Sequence, residues 1–452
     1  MNRSRRLLTA LTLAALIAAG CSSGDDTTET TDPTTTTSAP DTTDTEPVDE
    51  TEPTVTTATT EPVELTASHT GVTEEVIRVG VVGIDFDRLA AIGVDFNSGD
   101  AVAVYTAALE AINDRGGILG RRLELTTERY LPVGSIEVDE ICARLTEDLE
   151  VFVVVGAVRL DNVLCYTELN DTAVISINQQ NQARIDRSTA PYVTVRGRND
   201  TRTVAWVEAM VDAGVLEGET VGVLGAVDVD EELYEETVAA LQAAGIDPVG
   251  GLVPANGGDV NANEADIQII LEKFRAEGVT LTVHASPTAT GLSTASEIGY
   301  ETTWLQNPAI GAGTLTTEGV DLSYVDGMLT LMPTPVGTVD QPAMADDPAV
   351  AACVASIEAN GEETVNFALG ADAGNLNHAI NACGIATILE LAFTAAGAEL
   401  TNESLAAALV GLGEFSMAGF PSASLGPDDT DAAGAGQLAR FSAADEAWEF
   451  VD

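Results

Sequence analysis

The stretch Ala107–Leu125, AALEAINDRGGILGRRLEL, decides the fold class of this chain. It completes a helix predicted over residues 101–114, in which small and apolar side chains recur at helical spacing. The pair Gly116-Gly117 then ends that helix, and Leu123-Glu124-Leu125 begins a strand. A helix that is followed at once by a tight reversal and an apolar strand is one half of a βαβ unit.

The same alternation extends along the chain from residue 76. Strands are expected at 77–82, 123–125, 151–155, 173–177, 192–195, 220–224, 249–253 and 281–284, with a closing hairpin of 438–441 and 447–450. Helices are expected at 101–114, 136–148, 161–170, 201–213, 230–244, 264–276, 377–397 and 402–411. Strands that are apolar throughout indicate parallel sheets covered on both faces. Two such runs joined near residue 196 predict an α/β protein with two doubly wound parallel-sheet lobes and a ligand site in the cleft between them.

The N-terminus predicts export. Residues 1–20 combine three arginines with an apolar run too short to span a bilayer comfortably, as a signal peptide does. They end in Ala18-Ala19-Gly20-Cys21, which resembles a bacterial lipobox and implies lipidation of Cys21. The alternative is an ordinary secretory signal with a chance cysteine. The expected location is the outer face of the cell membrane, with the lipid as the only membrane contact.

Residues 21–70 are mostly Thr, Asp, Glu and Pro. Such a segment buries too little apolar surface to offset its chain entropy, so it is predicted to be a disordered, extended tether. The whole chain carries 72 acidic against 19 basic residues and a net charge of −53. A polyanion repels phosphates, so nucleic acid is excluded as a partner.

Five cysteines are present, and four remain if Cys21 is lipidated. An even number in an exported protein favours disulfides, and four cysteines allow three connectivities. Pairing of neighbours in sequence is expected, which gives Cys142 with Cys165 and Cys353 with Cys383. The alternative is that one pair stays reduced and buried.

The stretch quoted first resembles the first helix and second strand of type I periplasmic binding proteins of the branched-chain amino-acid (leucine/isoleucine/valine-binding) family. Tyr192-Val193-Thr194-Val195-Arg196 resembles the first inter-lobe crossing of that family, and 377–412 its late helix pair. The resemblance implies a clamshell with a three-strand hinge that serves an ABC importer. It divides the chain into lobe one (76–195 and 313–412), lobe two (196–312) and a segment at 413–452 that returns to the hinge and lobe two.

The same resemblance places ligand-binding loops after the strands of lobe one. Arg159 could pair with a ligand carboxylate or form a salt bridge across the cleft mouth. Asp161 could contact the ligand or cap the following helix. Asn178, Gln179 and Gln180 could hydrogen-bond a polar ligand, the alternative being a solvated loop.

In lobe two, Asp228 could hold a ligand ammonium group, and His284 and Ser286 follow a strand and could face the cleft. Calcium is not expected near Asp228, because the EF-hand glycine and spacing are absent. No catalytic or cofactor motif is found, so neither an enzyme nor a metal or other cofactor is expected. The predicted function is capture of a small polar ligand, such as an amino acid or amide, for a permease and ATPase. The alternatives are a ligand-sensing surface protein of the same fold and a tethered surface hydrolase.

Overall fold

A computed structural model describes residues 64–91, 99–132, 136–177, 180–256, 259–286, 288–311, 315, 320–361, 364–369 and 373–451, with the backbone alone at 228, 229, 260, 373 and 374. The signal peptide, Cys21 and most of the predicted tether therefore lie outside the described residues, as do Asn178 and Gln179.

The described part of the chain alternates strands and helices, as the sequence predicts. The strands are β1 (Val76–Ile84), β2 (Arg122–Tyr130), β3 (Val153–Gly156), β4 (Ala173–Ser176), β5 (Tyr192–Thr194), β6 (Val221–Ala226), β7 (Val249–Val253), β8 (Leu281–His284), β9 (Thr303–Gln306), β10 (Leu329–Met332), β11 (Gly413–Phe415), β12 (Ala423–Leu425), β13 (Gln437–Ser442) and β14 (Ala447–Phe450). The helices are α1 (Phe86–Ala91), α2 (Ala101–Asp114), α3 (Ile136–Ala143), α4 (Asn162–Leu164), α5 (Gln182–Arg187), α6 (Asn199–Asp212), α7 (Val227–Ala243), α8 (Val260–Glu277), α9 (Thr290–Glu297), α10 (Pro348–Asn360), α11 (Ala373–Ala396) and α12 (Asn402–Gly411).

The first sheet is parallel throughout and has the order β2-β1-β3-β4-β5. Its strands β3 and β4 are buried along their whole length, because helices cover both faces. The helices α2, α10, α11 and α12 share one apolar core with this sheet. These elements form lobe one.

The second sheet has the order β14-β13-β10-β9-β8-β6-β7 and forms lobe two. Strands β6 to β10 are parallel, and the hairpin β13–β14 joins the edge antiparallel. The predicted closing hairpin is therefore confirmed. The return to lobe one was predicted at residue 313, but β10 pairs with β9 and β13, so the chain leaves the second sheet only after Met332.

The chain passes between the two sheets three times: after β5, after β10 and before β13. Backbone hydrogen bonds tie the first and third crossings together, since Ala432 N–H donates to Thr194 O at 2.8 Å and Ala433 N–H donates to Val195 O at 3.0 Å. Residues 413–433 pack on lobe one through β11 and β12 before the last crossing. The crossings therefore lie side by side, which is the arrangement of a three-strand hinge.

Both expected cysteine pairs are present. Cys142 pairs with Cys165, and Cys353 with Cys383. The first pair joins α3 to the turn after α4. In this region the predicted helices 136–148 and 161–170 widen into π-helical turns at Arg144–Asp148 and Cys165–Leu169. Both disulfides join residues of lobe one, so neither disulfide links the two lobes.

Helix α11 is the one segment among the described residues that is apolar and long enough, by composition, to span a membrane. Over Asn375–Ala396 its window is 61% buried inside the protein. It packs on α2 and α12 within the core of lobe one. Burial of this kind is that of a core helix in a water-soluble fold.

Candidate ligand-binding cleft

Polar loops follow the carboxyl ends of β3 and β4 in lobe one and of β6 in lobe two, and these ends face each other. The first loop leaves β3 at Gly156, where φ is +110° and a Cβ would lie 2.2 Å from the carbonyl oxygen of Val82. Only glycine fits this close approach between neighbouring strands. The loop therefore leaves the sheet at a fixed angle, toward lobe two.

Arg159 lies in this first loop and is partly exposed. It forms no ion pair within the described part of the chain, so the salt bridge across the cleft mouth is not formed there. Its charge nevertheless reaches Asp230 of lobe two: burial raises the pKa of Asp230, and Arg159 is one of the groups that counteract this. The charge of Arg159 thus acts on a carboxylate of the opposite lobe, and its guanidinium group has no ion-pair partner among the described residues.

Asp161 occupies the N-cap position of α4, but its side chain makes no capping hydrogen bond. Its carboxylate instead accepts a hydrogen bond from Arg184 Nε at 3.0 Å. The prediction that Asp161 caps this helix is therefore wrong, because a cation lies closer to the carboxylate than the orphan N–H groups do.

The second loop is described from Gln180 onward. Gln180 is 1% exposed, and its amide donates to the carbonyl oxygen of Thr430 at 3.2 Å. Its own carbonyl oxygen is buried without a hydrogen-bond partner among the described residues. The alternative of a solvated loop does not hold at Gln180, since the side chain is sealed against the third crossing.

Asn181 begins α5 and reaches across to lobe two. Its side-chain oxygen caps the helix by accepting from Arg184 N–H at 3.2 Å, so its amide nitrogen points away from α5. That nitrogen donates to Glu232, and it lies 3.5 Å from Glu236 Oε1. Both glutamates belong to α7, directly after β6.

Arg184 completes the same bridge. Its side chain is 11% exposed, and Nη1 lies 2.7 Å from Glu232 Oε2 while Nε holds Asp161. We call Asp161, Asn181, Arg184, Glu232 and Glu236 the cross-cleft latch, because its first three members come from lobe one and its last two from lobe two. One arginine thus joins carboxylates of both lobes.

Glu236 is the member of the latch with the most altered acidity. Burial, together with the negative charges of Glu232 and Asp200, raises its pKa to about 8. Its Oε2 atom is buried with no hydrogen-bond partner among the described residues. The carboxyl group is therefore mostly protonated at neutral pH.

His284 and Ser286 were predicted to face the cleft, but they are enclosed in lobe two. His284 ends an interior strand and is fully buried, with Nε2 3.1 Å from the carbonyl oxygen of Thr288. Burial lowers its pKa to about 4. Ser286 is 6% exposed and lies 3.2 Å from the Thr288 hydroxyl. In this conformation neither side chain is open to a ligand, because the turn after β8 folds back over them.

Two arginines near the first crossing were not predicted as site residues. Arg196 follows β5 and is partly buried, and Arg202 lies in the first turn of α6 and is 2% exposed. Arg196 Nε donates to Asn381 Oδ1 at 3.0 Å, and Nη2 donates to Asn377 Oδ1. A signal was available in the sequence for Arg196, because arginines are scarce in this chain and this one directly follows the predicted strand 192–195. Arg202 comes eight residues after the end of β5 and carries no such signal.

Asp228 was predicted to hold an ammonium group, but its side chain lies outside the described residues. Within the described ranges, no cluster of His, Cys, Asp or Glu side chains is arranged to hold a metal ion. Of the acidic residues that follow Asp228 in α7, Glu232 and Glu236 belong to the latch.

The open space around the cleft is unevenly distributed. A cavity of about 10 Å³ lies beside Arg159, which is room for about one water molecule. A larger cavity of about 300 Å³ lies at the second and third crossings. Apolar and acidic side chains of both lobes line it: Met332, Pro333, Asp340, Met344, Asp347, Phe420 and Phe450.

Comparison with solved structures identifies the fold of this chain. No family model and no curated protein matches the sequence. A solved structure described as a possible leucine/isoleucine/valine-binding protein from Rhodopirellula baltica aligns at 16% identity with a TM-score of 0.60, over 84% of this chain and 96% of that one.

Two further solved structures agree with it. A fatty acid ABC transporter substrate-binding protein from Thermomonospora curvata aligns at 15% identity, TM-score 0.61, over 86% of this chain and 94% of that one. An ABC transporter solute-binding protein from R. palustris in complex with 4-hydroxybenzoate aligns at 13% identity, TM-score 0.60, over 84% and 96%. The two lobes, the three crossings and these alignments together show that the chain has the type I periplasmic-binding-protein fold seen in substrate-binding proteins of ABC transporters.

Proposed function

We propose that this chain is an extracytoplasmic, lipid-anchored solute-binding protein that captures a small polar ligand between its lobes and delivers it to an ABC importer. The observation that carries the proposal is the cross-cleft latch, in which Arg184 joins Asp161 of lobe one to Glu232 of lobe two. Loops at the carboxyl ends of both sheets thus come together at one place, which is where ligands bind in doubly wound proteins.

The fold neighbours support transport and leave the ligand open. Their descriptions name compounds as different as isoleucine, a fatty acid and 4-hydroxybenzoate. One scaffold therefore serves many ligands, and the loops of each protein select among them. In this chain the described cleft loops offer the partly exposed Arg159, which favours a polar ligand.

Binding without chemistry fits the described side chains. General acid–base catalysis at neutral pH usually relies on a group that titrates near 7 and can reach the substrate. Burial holds the pKa of His284 at about 4 and keeps its ring from the cleft. The pKa of Glu236 is about 8, but its carboxyl group is buried within the latch, where Oε2 has no room that is open to solvent. We therefore propose that the chain is not an enzyme.

Anchoring is proposed at Cys21. The run Ala18-Ala19-Gly20-Cys21 follows a basic and apolar leader, and the acidic segment after it would keep the lobes away from the membrane. Metabolic labelling with a fatty-acid analogue should tag the wild type and should not tag Cys21→Ala. Equal labelling of the two proteins would refute the anchor.

A thermal-shift screen tests the capture function. A ligand that binds only the folded protein stabilises it by RT ln(1 + [L]/Kd), which is about 2.7 kcal/mol at a hundredfold excess over Kd. At least one compound among amino acids, amides, polyamines and small carboxylates should raise Tm clearly. Mass spectrometry should then recover that compound unchanged after prolonged incubation. Conversion of the compound to a product would show an enzyme and would refute the proposal.

A further inference from the structure

The two arginines at the first crossing lie at the cleft side of lobe one and lobe two. Arg202 is 2% exposed, and Arg196 is partly buried. Arg196 directly follows the carboxyl end of β5, and α6 begins three residues later. Because α6 precedes β6 and runs antiparallel to it, its first turn lies at the carboxyl edge of the second sheet. Both guanidinium groups therefore lie where the two carboxyl edges meet.

Neither arginine has a carboxylate within ion-pair distance in the part of the chain that the structure describes. Arg196 is held by the neutral oxygens of Asn377 and Asn381, and Arg202 Nε has no hydrogen-bond partner among the described residues. The nearby carboxylate of Asp431 is already used: its Oδ2 accepts from the Arg198 N–H at 2.8 Å and lies 3.4 Å from the Thr201 hydroxyl.

Burial of two like charges side by side is costly unless an anion accompanies them. Burial, and next the positive charge of Arg196, lower the pKa of Arg202 to about 9, and the negative charge of Asp431 offsets only part of this. A shortage of acids does not explain this arrangement, since the chain has 72 acidic residues against 19 basic ones. Elsewhere arginines do find carboxylates: Arg144 lies 2.6 Å from Glu128, and Arg187 lies 2.7 Å from Glu168.

The polar groups around the two arginines include further donors. The amide nitrogen of Asn381 is buried without a partner among the described residues, and so is the hydroxyl group of Tyr105. Tyr105 is 1% exposed and lies close enough to Arg196 for that charge to act on its pKa, which burial raises. The side chain of Arg202 lies against Gly197, the neighbour of Arg196. Among the described residues, the unpartnered donors of Arg202, Asn381 and Tyr105 therefore lie near Arg196.

We propose that Arg196 and Arg202 form an anion subsite of the inter-lobe cleft that holds the carboxylate group of a small ligand, with Asn381 and Tyr105 donating to the same group. This inference rests on the proposed capture function and names the chemical class of its ligand. A guanidinium group matches the two oxygens of a carboxylate. A monoanion also approaches a chain of net charge −53 with less repulsion than a phosphate dianion does.

The subsite makes a prediction about the ligand-free protein. If the two arginines form an anion site, the ligand-free protein holds their positive charges without a compensating anion. Removal of one charge should then stabilise the ligand-free protein. If Arg202 has only a structural role, its removal should destabilise the protein instead. Arg202→Met preserves the length of the apolar stem and removes the charge. The matched control is Arg440→Met, because Arg440 is an exposed residue of β13.

The experiment compares acids with their uncharged amides. Benzoate and benzamide, octanoate and octanamide, leucine and leucinamide, and inorganic phosphate are tested by thermal shift, and the compounds that stabilise are titrated by calorimetry. The subsite predicts that at least one carboxylate binds, that its amide does not, and that Arg202→Met weakens the binding at least about tenfold, or 1.4 kcal/mol. Arg440→Met should bind like the wild type.

Several results would overturn the subsite. An amide that binds as tightly as its acid, phosphate that binds where no carboxylate does, or a carboxylate that binds Arg202→Met like the wild type would each do so. If none of these compounds binds the wild type, the ligand-free protein decides: a higher Tm in Arg202→Met supports the subsite, and an equal or lower Tm refutes it. A compound that binds one per chain and ignores Arg202→Met would leave the capture function standing and remove only the anion subsite.

Discussion

Replacement of Arg184 by glutamine should weaken the closed arrangement of the two lobes without unfolding either one. Arg184 lies on α5 in lobe one and contacts Asp161 in its own lobe and Glu232 in the other. The side chain is mostly buried, so its two contacts are fixed in direction. Glutamine keeps part of the length and removes the charge.

The size of the effect follows from the exposure of the two partners. Asp161 is 72% exposed, so solvent screens that contact and it contributes only about 0.5 kcal/mol. Glu232 is 33% exposed and lies 2.7 Å away, and a charged hydrogen bond of this kind contributes about 1.5 kcal/mol. Only the contact with Glu232 crosses the cleft, so about 1.5 kcal/mol favours the closed lobes, which corresponds to about a tenfold shift toward the open state when the charge is removed.

Ligand affinity is the appropriate assay, since a ligand that needs closed lobes binds more weakly when they are less populated. With the compound found by thermal shift, Arg184→Gln should raise Kd by about tenfold. Arg187→Gln is the matched control: it lies on the same helix and pairs with Glu168 inside lobe one, so it should leave Kd unchanged.

An equal Kd in Arg184→Gln and the wild type would refute the role of the latch. Equal losses in Arg184→Gln and Arg187→Gln would do so as well, because the effect would then come from α5 itself. A large fall in the free energy of unfolding of Arg184→Gln would show that the contacts hold the fold rather than the closed state.

Three other changes give distinct outcomes. Glu236 loses its proton near pH 4.5 in the unfolded chain and only near pH 8 in the folded protein, so this group destabilises the fold increasingly as pH rises between those values. Glu236→Gln should therefore raise Tm at pH 8.5 and leave Tm nearly unchanged at pH 4.5. Equal effects on Tm at both pH values would contradict the raised pKa. Joint replacement of Cys353 and Cys383 by alanine removes a disulfide that links residues 30 positions apart, so it should lower the free energy of unfolding in urea by about 3 kcal/mol. An unchanged free energy of unfolding would mean that this disulfide does not restrain the unfolded state. Arg159→Gln should weaken ligand binding at least about tenfold at unchanged Tm, because the side chain is partly exposed and has no ion-pair partner to lose among the described residues; unchanged calorimetry would place the ligand elsewhere in the cleft.

The fold was predictable because its signal is local. The reversal at Gly116-Gly117 and the apolar strands 151–155 and 173–177 carry strong patterns, and they recur in order along the chain. The disulfides followed for a similar reason, since neighbours in sequence close the shortest loops. The strand at Leu329–Met332 was missed, because four residues give too short a pattern and their sheet is chosen by partners far away in sequence.

The site was less predictable because side-chain partners are decided by tertiary structure. Asp161 stands at a helix start, and nothing near it in sequence shows that Arg184 takes its carboxylate. His284 ends a strand where a ligand residue could stand, yet the following turn encloses it. The lack of a hydrogen-bond partner for Arg202 Nε among the described residues is likewise visible only once the lobes are packed.

Small-angle X-ray scattering during a ligand titration tests the central proposal most directly, because it reports lobe closure and stoichiometry together. With a compound that raises Tm, the radius of gyration should fall steadily and stop falling at one ligand per chain. A radius of gyration that stays constant at saturating ligand would contradict capture by closure of the two lobes.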